Sequence, residues 1–96
     1  MRAAVEVARW APNHRLTEPW RFYLLGPSTL RRVIDLAVEL EIAKKGERAG
    51  PVRRARLEAI PGMFVLTSAL SEDSLLEREN YAACCCAGQN LMLYLW

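Results

Sequence analysis

Apolar positions in this chain follow two rhythms, and the switches between them mark out its elements. Ala3, Ala4, Val7, Ala8 and Ala11 recur at helical spacing over residues 1–11, and Pro12 ends that pattern. Residues 12–19 are polar. Trp20 to Leu25 is then an unbroken apolar and aromatic run, interrupted only by Arg21 and stopped by Gly26-Pro27, which predicts a buried strand. Ser28 is the expected N-cap of the next helix. Leu30, Val33, Ile34, Ala37 and Val38 carry that helix to Lys45, with Lys44 and Lys45 suited to its negative end and Gly46 to its stop. A loop is expected over 46–50. Pro51 then opens a short helix from Val52 to Ile60, broken by Pro61-Gly62. Met63 to Thr67 is a second apolar run. Its continuity predicts cover on both faces. Ser71 or Ser74 caps a last helix, 72–96, with Glu72 and Asp73 at its positive end.

That last helix changes character along its length. Glu77 to Asn80 is polar, whereas the second half is apolar nearly all round. Tyr81, Cys84, Gly88, Leu91 and Leu95 lie along one side, and Ala82, Cys85, Gln89, Met92 and Trp96 along another. Such a helix is expected to be buried on every side. The order α-β-α-α-β-α is that of a layered α/β or α+β domain spanning 1–96 as a single, partial unit. Two strands make a poor sheet, so further strands are expected from additional sequence or a second chain. Neither end carries the capping signals of a finished helix, so the chain reads as a truncated piece of a longer polypeptide.

Composition narrows the classes. Hydrophobic residues make up 52% and charged residues 25%, which excludes disorder. The net charge of +2 gives no reason to expect nucleic acid. The basic run Lys44, Lys45, Arg48, Arg53, Arg54 and Arg56 has no interleaved aromatics and fits a solvated face better than a nucleic-acid surface. The apolar stretch 82–96 is interrupted by Gln89 and Asn90 and falls short of the roughly 20 residues of a membrane span. The three cysteines are consecutive, Cys84 to Cys86. They make no disulfide framework and point about 100° apart on a helix, so they close around no ion. Small apolar residues in a packed helix, reduced in a cytoplasmic protein, is the expectation. There is no glycine-rich dinucleotide fingerprint, P-loop or nucleophile elbow. The one concentrated set of hydrogen-bonding groups is Asn13, His14, Arg15, Thr17 and Glu18, held between Pro12 and Pro19 and containing the single histidine. One histidine and one carboxylate four apart are a weak metal signal, so no metal site is expected.

Ala8-Arg9-Trp10-Ala11-Pro12-Asn13-His14, followed by Glu18-Pro19-Trp20-Arg21-Phe22, resembles the FMN-dependent nitroreductase family, in its compact NAD(P)H-nitroreductase branch. The likeness continues through Pro61-Gly62-Met63-Phe64-Val65-Leu66 and through Glu79-Asn80-Tyr81-Ala82-Ala83 with Ala87-Gly88-Gln89-Asn90-Leu91-Met92-Leu93. It implies an α+β fold, with FMN at the interface of an intertwined homodimer. Hydride would pass from NAD(P)H through the flavin to a nitroaromatic, quinone or similar small-molecule acceptor. It implies a cofactor-binding role for His14 and Glu18, with Asn13 and Arg15 beside them. No catalytic residue is expected, because the flavin carries the redox chemistry. The homodimer would form through helix 72–96. Where the family has Gln, Glu18 is a carboxylate. It accepts from a flavin N–H but does not donate to a flavin carbonyl, and its charge disfavours the anionic reduced flavin. Arg15 is the expected compensating cation. The family's phosphate-holding arginines and its glycine-containing C-terminal loop have no match in this sequence, so tight FMN binding is not expected of it. The alternative is a flavin-less dimeric scaffold built on the same fold.

Overall fold

The computed structural model describes all 96 residues. The elements run α1 (Arg2–Ala8), a 3-10 turn (His14–Leu16), β1 (Trp20–Leu24), α2 (Pro27–Lys45), α3 (Ala49–Glu58), β2 (Phe64–Ser68) and α4 (Ser74–Leu95). This is the expected order, α+β, with a two-stranded sheet of β1 beside β2. Ala69 N–H donates to the Pro19 carbonyl (2.8 Å) and Leu25 N–H to that of Met63 (3.0 Å). Pairing 19 with 69 and 25 with 63 makes the strands antiparallel. No helix is long and apolar enough to cross a membrane. The chain divides into two compact parts, residues 1–23 with 65–96, and residues 24–64.

The first part is built on α4. Its buried residues Asn80, Ala83, Cys84, Ala87 and Leu91 repeat at three and four and pack against α1, where Ala4 and Ala8 are buried, as is Ala11 just beyond it. Small residues on both helices permit that close approach. The helix is not buried on every side as its composition predicts. Tyr81, Cys85 and Met92 are exposed, because only one stripe meets the rest of this chain. Of the three cysteines only Cys84 is packed; its Sγ lies 3.8 Å from the Thr67 carbonyl. The N-cap is neither Ser71 nor Ser74 but Asp73, whose carboxylate accepts from Leu75 and Leu76 N–H, while the Ser71 hydroxyl accepts from Asp73 N–H. On α1, Ala3 and Val7 face outward, and the helix tightens into a 3-10-like turn that carries Ala11 to Pro12.

The strands also depart from expectation. In β1, Trp20 is buried but Tyr23 and Leu24 are exposed. In β2, burial alternates and Val65 is exposed, so the sheet is covered on one face. A continuous apolar run cannot reveal which of its faces a given chain covers.

In the second part, α2 and α3 pack on each other, with Ile34, Val38 and Gly50 buried. A Cβ on Gly50 would lie 2.7 Å from Ile42 Cδ1, so a side chain there would force Ile42 to shift where the helices touch. This contact explains why α3 starts at Ala49, earlier than Pro51 alone suggests. α2 is capped by Gly26 with Pro27 in its first turn, not by Ser28. It ends as expected, with Lys44 and Lys45 in its last turn and Gly46 at φ 87°. Arg53 and Arg56 are solvent-facing, as the basic run predicts. Lys45 bonds Glu41 (2.7 Å) and holds its carboxyl below the usual carboxylate range.

Candidate functional site

The polar loop joins α1 to β1. α1 ends at Ala8, a tight turn carries the chain to Pro12, and Pro19, fully buried, leads into the strand at Trp20. With both ends fixed, the intervening six residues must turn sharply. Three of them, none a glycine, take left-handed backbone: Arg15 (φ 55°), Leu16 (φ 53°) and Glu18 (φ 44°). Each costs on the order of 1 kcal/mol, and such strain clusters where side chains must be aimed.

Three sets of bonds hold the turn. Glu18 N–H donates to Asn13 Oδ1 (2.9 Å), closing the loop on itself. Thr17 N–H and its hydroxyl both approach the His14 carbonyl, at 3.3 Å each. The Thr17 hydroxyl shares its single proton between that carbonyl and Asn80 Oδ1 on α4 (3.2 Å), and Asn80 Nδ2 donates to the Ala69 carbonyl (3.3 Å). Asn80 is the one buried polar residue, only 4% exposed.

The four sequence-predicted residues do not form one cluster. Asn13 and Glu18 line an open depression of about 650 Å³ with Arg9, Trp10, Ala11, Pro12 and Leu16. His14 and Arg15 lie outside its lining. His14 Nδ1 faces Glu79 Oε2 at 3.8 Å, while Arg15 Nε donates to His14 Nε2 (3.1 Å). With Nε2 accepting, the neutral ring carries its proton on Nδ1, the Glu79 side. His14 and Glu18 thus face different partners. The cation beside Glu18 is Arg9 (3.6 Å), which also meets Glu6 (3.5 Å), rather than Arg15. Arg15, with left-handed backbone, has its guanidinium on His14 instead.

Sequence reading missed Arg9, Trp10, Glu79 and Asn80 as parts of this site. Asn80 had a usable signal: it falls in register with Ala83, Ala87 and Leu91, the buried stripe of α4. Arg9 and Glu79 had none, since their partners are set by the turn.

The chemistry of the depression suits a planar heteroaromatic ring with polar edges. Trp10 and Leu16 expose 86% and 83% of their surfaces, offering apolar faces. Glu18 accepts from an N–H, and Arg9 and the Asn13 amide donate to oxygens. These groups complement an isoalloxazine ring, the part of FMN that the residues of this depression fit.

The Nitroreductase family model matches residues 1–96. The chain is 28% identical over 96 residues to "Putative NAD(P)H nitroreductase YfhC" of Bacillus subtilis (strain 168), a match covering 96% of this chain and 50% of that protein. The crystal structure of a nitroreductase-like family protein from Bacillus cereus superposes with a TM-score of 0.79 at 28% identity, covering 98% of this chain and 50% of the other. The chain thus spans about half the length of both proteins.

Proposed function

Because the chain belongs to the nitroreductase family, we propose that it serves an FMN-dependent oxidoreductase that passes hydride from NADH or NADPH to a nitroaromatic, quinone or similar acceptor. The observation that carries this reading is the family match over the whole chain, centred on a strained loop whose donors and acceptors suit a flavin. When bound, the flavin supplies the hydride relay. The protein's share is orientation. Glu18 accepts an N–H at the ring edge. Arg9 stands 3.6 Å behind it and balances its charge. Asn13, fixed by Glu18 N–H, offers its amide group, and Trp10 and Leu16 shield an apolar face from water. His14 and Arg15, outside the lining of the depression, would flank the cofactor rather than hold its ring. None of these groups needs to move a proton in the hydride step.

In the same reading, α4 is the homodimer face. Its stripe Tyr81, Cys85 and Met92 is exposed, apolar and free of partners in the chain, which is the surface an obligate subunit contact buries. The direct test is titration of purified protein with FMN, followed by quenching of flavin fluorescence. Saturable binding with a micromolar or weaker Kd, about −8 kcal/mol or less favourable, is expected. Flavin-dependent oxidation of NADH or NADPH in the presence of a quinone should accompany it. A fluorescence signal that never saturates would remove the flavin assignment and leave the flavin-less scaffold.

A further inference from the structure

The loop that presents Asn13 and Glu18 does not hold its own shape. Its backbone is left-handed at three non-glycine positions, and its internal bonds are all made by exposed or half-buried groups. One contact differs. The Thr17 hydroxyl reaches across 63 positions of sequence to Asn80, buried in the packed face of α4 and anchored on its other side to the Ala69 carbonyl at the end of β2. Asn80 thereby joins three elements, the loop, the strand end and the long helix. Its neighbour Glu79 meets His14 from the same turn of α4.

We infer that Asn80 is the positioning residue of the flavin loop: through the Thr17 hydroxyl it holds residues 13–18 in the conformation that aims Asn13 and Glu18. Asn80 does not line the depression and its side chain hydrogen-bonds none of the residues that do, so its effect on a ligand passes through Thr17. Amide chemistry suits the task. Its Oδ1 accepts the threonine hydroxyl while its Nδ2 donates to the backbone carbonyl, a division that aspartate cannot reproduce when ionised and leucine cannot reproduce at all. A buried amide satisfied on both sides is rigid, since releasing either bond leaves a polar atom unpaired.

The inference rests on the FMN reading for its ligand, but its test separates the two. Thr17 is exposed, so Thr17→Val and Thr17→Ser both leave the core intact and spare the experiment a folding failure at Asn80. Thr17→Ser should unfold at the parent's midpoint and Thr17→Val several degrees lower, the loss of one hydrogen bond, with the transition still cooperative. Thr17→Val, which keeps the shape and loses the hydroxyl, should weaken FMN binding roughly tenfold, the upper end of one lost hydrogen bond. Thr17→Ser, which keeps the hydroxyl, should stay within about threefold of the parent. In parallel, exchange of the Glu18 amide, bonded to Asn13 Oδ1, should quicken roughly tenfold in Thr17→Val and in Asn80→Leu, which removes the acceptor, and stay unchanged in Thr17→Ser. Parent-like FMN affinity in Thr17→Val, or equal losses in Val and Ser variants, would overturn the inference. Should the parent bind no FMN, the flavin reading fails, and amide exchange alone decides: faster exchange only in the variants without the bond sustains the positioning role, and unchanged exchange overturns it.

Discussion

Glu18→Gln isolates what the carboxylate does. Glu18 lies 3.6 Å from Arg9, and both side chains are about half exposed. Two unit charges at that distance attract by about 1 kcal/mol in water, and exposed pairs of this kind deliver between roughly 0 and 1 kcal/mol. Arg9 keeps Glu6 at 3.5 Å after the change. The bond that closes the loop uses the Glu18 main-chain N–H, which the substitution leaves alone. Stability should therefore fall by less than about 1 kcal/mol, a melting shift of at most several degrees for a domain of this size. Flavin binding should move the other way. The glutamine amide donates to a flavin carbonyl, which the carboxylate does not, and one such bond contributes about 0.5–1.5 kcal/mol net. FMN should bind about two- to tenfold more tightly, read by fluorescence titration of the parent and Glu18→Gln proteins side by side. Removing the negative charge should also raise the reduction potential of the bound flavin. Unchanged or weaker FMN affinity, with melting preserved, would refute the placement of Glu18 at the ring edge.

Gly50→Ala should destabilise by about 1 kcal/mol in urea unfolding: overpacking against Ile42 costs about 1–3 kcal/mol, and the better helix former returns about 1. In an Ile42→Val background, which lacks the Cδ1 atom 2.7 Å from the new methyl, the loss should shrink by at least about 0.5 kcal/mol; strict additivity would contradict the close contact of α2 and α3. Met92→Glu places a charge on the exposed stripe of α4 and should leave the fold intact, while shifting sedimentation from dimer to monomer. A dimer that survives this change forms through another surface.

The features legible in the sequence were those governed by local rules. The order of elements, the Lys44-Lys45-Gly46 end of α2 and the solvated basic run all follow from periodicity, capping and charge within a few residues, whereas α1 ends at Ala8, short of the Pro12 stop. Boundaries slipped where two local signals competed, as at Asp73 against Ser71 and Ser74, or where a distant contact decided, as at Gly50. Burial was overestimated for Tyr23, Val65 and Tyr81. Apolar character says that a side chain is suited to an interior, but not whether this chain supplies one. Within the loop, residue types were legible and partners were not. Arg15 and Arg9 are both cations near Glu18 in sequence; the residue types do not show that Arg15, with left-handed backbone, meets His14 and that Arg9 is the partner of Glu18.

The same geometry explains why α4 matters to the loop. Three left-handed residues together cost several kcal/mol at about 1–2 each. The bonds inside the loop run between exposed groups and contribute only about 0.5–1.5 kcal/mol apiece. Two prolines reduce the freedom of the unfolded loop, which narrows the gap without selecting the turn. The remaining support must come from a part of the molecule already ordered for other reasons. α4 qualifies, because Ala83, Ala87 and Leu91 fix it against α1 whether or not the loop is in place. Asn80 sits on that same buried stripe, one turn before Ala83 and Cys84. It lends the rigidity of the helix packing to Thr17, and through Thr17 to the residues on either side of it. A polar residue in register with an apolar stripe costs burial energy unless both its ends are bonded, and here both are, one to the strand end and one to the loop.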